Sequence, residues 1–68
     1  MRYGIRTYIE GAEIESKDYS FYGLIQAAMR KADSQNQAIL RAAWPDVWEE
    51  LVARYNAPGG YLEGEREL

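Results

Sequence analysis

From Phe21 to Ala32 the apolar residues Phe21, Leu24, Ile25, Ala28, Met29 and Ala32 recur at intervals of three and four. That is the spacing of one face of an α-helix. Ser20 stands where an N-cap is needed, and Tyr19 and Leu24 bracket it as a hydrophobic staple across the helix entry. Gln26, Arg30, Lys31 and Asp33 fall on the opposite, solvent-facing side. A second helix is predicted to follow almost without a linker, because Ser34 and Gln37 have the spacing of a capping box. Ala38, Ile39, Leu40, Ala42, Ala43 and Trp44 are apolar on more than one face, the pattern of a central helix covered from several sides. Pro45 ends that helix and suits the first position of a third, with Asp46, Glu49 and Glu50 in its opening turns where the macrodipole favours acids. Trp44, Trp48, Leu51, Val52 and Tyr55 give it a stripe, and Asn56 with Pro58-Gly59-Gly60 closes it near Tyr55.

Ahead of the helices the period changes. Tyr3, Ile5, Thr7 and Ile9 alternate with Arg2, Arg6 and Glu10, which reads as a half-buried strand. Gly11-Ala12 then suits a two-residue hairpin turn that sets Ile9 opposite Ile14 and Thr7 opposite Ser16, at the cost of placing Glu10 against Glu13. The predicted fold is therefore α+β, an N-terminal β-hairpin packed against two to three short helices. Ile5, Ile9 and Ile14 would lie on Leu24, Ile25, Met29, Ile39, Leu40, Val47, Leu51 and Val52. Residues 1–62 are expected to form a single small globular domain and residues 63–68 a charged, disordered tail.

Composition narrows the chemistry more than the fold. With 68 residues there is room for one core, and a core of this size supplies about 3–5 kcal/mol at most. The chain has no Cys, so neither disulfides nor thiolate ligands reinforce it, and self-association is a way to make up the difference. No apolar run is long enough for a signal-peptide core or a membrane span, which leads to the expectation of a cytoplasmic protein with no membrane partner. Eleven acidic against eight basic residues give a net charge of −3 and oppose phosphate binding. General acid–base work and transition-metal binding lean on His and Cys; neither occurs, so no enzyme activity and no cofactor is expected.

The remaining candidates for chemistry each have a plainer explanation. Glu10, Glu13 and Glu15, or Asp46 with Glu50, could hold a hard cation, but they lack a Ca²⁺-loop pattern and are accounted for by a solvated turn and a helix N-terminus; no metal is assigned. Gly59-Gly60 follows a helix instead of joining a strand to one, so it terminates a helix and does not cradle phosphate. Ser20 and Ser34 stand at helix starts without a neighbouring base. Two helices at a tight corner suggest a helix-turn-helix, yet the third helix would turn Asp46, Glu49 and Glu50 toward the phosphates. A patch of Arg2, Arg6 and Tyr8 with Arg30 and Lys31 is interrupted by Glu10, Glu13, Glu15 and Asp33, so nucleic acid is not the expected partner. The stretch from Ala43 to Gly60 resembles the ends of small bacterial open reading frames, a likeness that implies no activity and no site.

The surplus is aromatic. Tyr3, Tyr8, Tyr19, Tyr22, Trp44, Trp48, Tyr55 and Tyr61 are more large rings than one small core can take in. Tyr8 on the polar strand face, Tyr22 off the helical stripe and Tyr61 beyond the helix breaker are the candidate interaction surface. The expected function is a small non-enzymatic protein-interaction module that binds a protein partner, or itself as a homodimer, through exposed aromatic and apolar surface. The alternative is an acidic inhibitor or nucleic-acid mimic of phage or mobile-element origin, presenting Asp46, Glu49, Glu50, Glu63, Glu65 and Glu67 to a nucleic-acid-binding host protein.

Overall fold

In the computed structural model, which describes residues 2–65, four α-helices follow one another: α1 (Ile5–Glu15), α2 (Phe21–Lys31), α3 (Ser34–Ala43) and α4 (Pro45–Tyr55). A short 3₁₀ turn, Pro58–Gly60, comes after them. Among the described residues there is no strand, so the expected α+β architecture with an N-terminal β-hairpin is overturned. The segment read as two strands and a turn is one helix, α1. The reason lies in its spacing: Ile5 and Ile9 stand four apart, which satisfies both a period of two and a helical turn. Tyr8 and Ala12 complete the i, i+3, i+4, i+7 stripe that only a helix puts on one side. A lone two-stranded hairpin leaves both edges unpaired, whereas the helix closes its own backbone bonds. Thr7 and Ser16 assist, their hydroxyls donating to the carbonyls of Tyr3 at 2.9 Å and Glu13 at 2.7 Å. Gly11 lies in mid-helix instead of in a turn, and the turn comes later, at residues 16–18, where Asp18 has a left-handed φ of 60°.

The helices downstream follow the sequence pattern more closely. Ser20 caps α2, its Oγ accepting from the Gly23 amide at 3.0 Å. A Cβ on Gly23 would come within 2.8 Å of that Oγ, which explains why a residue with poor helix propensity sits in the first turn. The cap of α3 is shifted by one residue from the predicted box: Asp33 Oδ1 accepts from the Asn36 amide at 2.8 Å, and Ser34 is the first helical residue. Pro45 opens α4 as expected, after Trp44 outside the helical region (φ −133°, ψ 68°). Asn56 ends α4 right-handed, at φ −90°, and its side-chain amide donates to the Val52 carbonyl at 3.0 Å.

The central helix is α4, not α3. It packs on α2, on α3 and on the 3₁₀ turn, while α3 has no buried residue and leaves Ile39 60% exposed. The multi-faced apolar pattern of α3 comes largely from alanines, which lie easily at a surface. Gln37 Nε2 reaches the Met29 carbonyl at 3.4 Å and ties α3 to α2, and the Arg41 guanidinium lies 4.9 Å from the Trp48 ring centre, tying α3 to α4. Phe21 meets Trp44 edge to face at 6.2 Å, closing the corner between α2 and α4. The core enclosed by this arrangement consists of two side chains, Met29 and Leu51.

Helix α1 has no packing partner among the other elements. The radius of gyration is accordingly 14.5 Å, against about 11 Å for a compact chain of this length.

Candidate interaction surface

The surface is built from three pieces of the chain. The first is the α1 stripe. Helical geometry places Ile5, Tyr8, Ile9 and Ala12 within one 100° sector, and with nothing packed on it Ile5 is 72% and Tyr8 74% exposed. Ile14 comes nine residues after Ile5, half a turn around the helix, and so faces the other way.

The second piece is a groove of about 530 Å³ lined by Ile14, Tyr19, Gly23, Leu24, Ala27, Ala28 and Lys31. Gly23 and Ala27 make its floor shallow in side chains, so an approaching helix could come close to the α2 backbone. Leu24 and Ala28, expected to be core positions, form its wall instead. The stripe of α2 is thus divided: Met29 turns into the bundle, while Phe21 remains 57% exposed.

The third piece is the aromatic corner of Phe21 and Tyr22, whose rings meet edge to face at 5.1 Å. Tyr22 also lines a cleft of about 440 Å³ with Gln26, Asp46, Val47 and Glu50.

The three tyrosines singled out by sequence do not converge. Tyr8 belongs to α1, where it is part of the apolar stripe and not of a polar strand face. Tyr22 is on α2, and Tyr61, 51% exposed, follows the 3₁₀ turn with its ring close to Gly59. Sequence reasoning missed Ile5, Ile9 and the α2 groove as exposed surface because it covered each with the supposed hairpin. The signal that could have found them was the helical spacing of Ile5, Tyr8, Ile9 and Ala12.

Charge divides the same surface. Helix α2 contains Arg30 and Lys31 and no carboxylate; α1 contains Arg6 against Glu10, Glu13 and Glu15. One helix is therefore basic at its C-terminal end and the other acidic.

The acidic positions of the C-terminal half are largely engaged within the chain. Arg54 donates to Glu50 at 3.0 Å, to Glu65 through two nitrogens at 2.8 Å each, and to the Gly60 carbonyl at 2.9 Å. The Leu62 amide adds a further bond to Glu65 at 2.8 Å. Gly59 (φ 65°) and Gly60 (φ 78°) provide the left-handed backbone that brings Glu65 back to α4. Asp46 Oδ1 accepts from the Val47 amide at 3.0 Å at the start of α4. Residues 66–68, and with them Glu67 and the end of the charged segment 63–68, lie outside the described residues.

The forked guanidinium, and secondarily the Leu62 amide, hold the Glu65 carboxyl below its usual value, while Glu65 and Glu50 hold the Arg54 charge more firmly than usual. Because the folded Glu65 is the stronger acid, its contribution is complete above the ordinary Glu value of 4.5 and is lost as the pH falls through the lower folded value. Acidification below that ordinary value is expected to release residues 57–65 from α4 before the bundle melts. Amide exchange of Gly60 to Glu65, followed by NMR as the pH is lowered, should rise ahead of that of Leu51. Simultaneous loss would mean that the clasp and the bundle are one unit.

Among the described residues, no cluster of three or more carboxylates is placed to hold a metal ion, and no helix is long and apolar enough to cross a membrane. No protein-family model, no curated protein and no solved structure matches this chain.

Proposed function

We propose that this chain is a non-enzymatic protein-interaction module whose binding surface is the α1 stripe together with the neighbouring groove and aromatic corner of α2. The observation that carries this reading is the imbalance between core and surface. Among the described residues Met29 and Leu51 alone are buried, while Ile5, Tyr8, Ile9, Phe21 and Tyr22 remain in contact with solvent. Exposed apolar and aromatic surface of this extent, rimmed by charge, is the signature of protein binding. Rigid rings supply contact area there at little entropic cost.

The acidic-mimic alternative finds less support, since Arg54 engages Glu50 and Glu65, two of the six acids it invokes.

Site-specific photo-crosslinking in cells tests the reading. A benzoyl-phenylalanine at position 8 or 22 is expected to give a covalent adduct with a protein, and one at position 35, in the first turn of α3 and outside this surface, is not. Adducts at none of the surface positions, or equally at position 35, would sink the proposal.

A further inference from the structure

We infer that the partner of this surface is a second copy of the same chain, the α1 stripe of each protomer lying in the α2 groove of the other. The inference rests on the reading of α1 and α2 as a protein-binding surface and adds the identity of the occupant. Three observations lead to it.

The first is area. A compact monomer of 7.8 kDa exposes about 4,400 Å². This chain exposes 6175 Å². The excess is about 1,800 Å² per chain, within the range that obligate homodimers bury on each side and well above the roughly 800 Å² per side of a standard interface.

The second is direction. Within one chain the groove is closed at one end by Ile14, so the face of α1 turned to its own groove is the one opposite Ile5, Tyr8 and Ile9. Stripe and groove of a single molecule point away from each other. A stripe fills a groove without rearrangement only on another molecule, and a two-fold axis then satisfies both pairs at once.

The third is charge. Glu13 and Glu15 flank the stripe on its two sides, and Lys31 lines the groove, next in sequence to Arg30, which lines the cleft toward Gln37 and Leu51 and adds to the same basic helix end. The acidic helix thus meets the basic one twice in a symmetric pair. The same pairing supplies what each chain lacks alone: cover for α1 and a wider core around Leu24 and Ala28.

The test uses two variants of the full chain, Glu13→Lys with Glu15→Lys, and Arg30→Glu with Lys31→Glu, in sedimentation equilibrium at low salt. Each variant alone faces like charge with like in both halves of the dimer. A one-to-one mixture restores opposite charges in both. The wild-type chain is expected to be a dimer, each variant alone to dissociate with a Kd raised tenfold or more, and the mixture to return to the wild-type mass as a heterodimer. The recovery also shows that neither variant is misfolded.

A wild-type monomer, variants that remain dimeric, or a mixture that fails to recover would each overturn the inference. If α1 amides are protected in a monomer, the helix has folded back onto its own groove. If crosslinks from position 8 lead to a different protein, the broader reading survives and the second copy does not. If there are no crosslinks at all, the broader reading falls as well.

Discussion

Replacing Met29 by Ala is expected to lower the melting temperature by about 8–40 °C, the largest effect expected of a single substitution in this chain. Truncating a buried Met to Ala costs about 2–5 kcal/mol, depending on how far the site collapses, and in a domain of this size each kcal/mol corresponds to about 4–8 °C. Met29 is fully buried, and among the described residues the only other buried side chain is Leu51 on α4, which lines the same cleft. Its loss would remove the one fully buried side chain between α2 and α4, leaving more exposed contacts such as the Phe21–Trp44 edge contact and the Gln37 bond. The loss is of the same order as the total stability that a small single core provides. Met29→Leu, which nearly conserves volume, should cost less than about 1.5 kcal/mol. Thermal melts followed by circular dichroism separate the cases. If the Ala variant melts within a few degrees of the wild type, the bundle is held by something other than this contact.

How much of this was readable in advance depended on whether a signal was local. The α2 boundaries, the Ser20 cap and the Pro45 start of α4 are each decided by residues within one turn, and each was legible. The N-terminal segment was not, because Ile5 and Ile9 fit two periods and the Gly11-Ala12 pair has the chemistry of a turn; Tyr8 and Ala12 decide between them only if counted on a helical wheel. The importance of α4 was hidden because exposure of α3 follows from how its alanines are arranged in space, which composition does not record. The Arg54–Glu65 fork spans eleven residues and three left-handed glycines, and no periodic pattern announces a contact of that kind. The candidate site was partly legible: the surplus of rings correctly implied exposed aromatics. Which apolar residues join them depended on the element that was misread.

The helix that was misread should also behave unlike the other three. Helix α1 has eleven residues, fewer than the roughly 12–15 at which even alanine-rich helices become marginal alone. It carries Gly11, which costs about 1 kcal/mol relative to Ala, and the β-branched Ile5, Thr7, Ile9 and Ile14. Gly4 at its N-cap gives no side-chain bond, there is no acid in its first turn and no base in its last, and Glu13 and Glu15 stand where the macrodipole disfavours them. Beyond its own backbone bonds and the Thr7 and Ser16 hydroxyls little within α1 sustains it, so most of its helicity has to come from whatever covers the stripe. It contributes 11 of the 43 residues in the four α-helices, and covering is a matter of mass action. On dilution, the ellipticity at 222 nm is therefore expected to fall by about a quarter in a step that precedes melting of α2–α4. Native-state hydrogen exchange should locate the loss in Ile9–Glu15, with protection there rising with protein concentration while that of Leu51 stays constant. Substituting Ile9→Asp, on a side chain that is 48% exposed, should mimic dilution at any concentration and leave the α4 amides protected. Protection of α1 equal to that of α4 at the lowest concentration would mean that α1 draws its stability from its own chain, and the exposed stripe would then need another explanation than a missing partner.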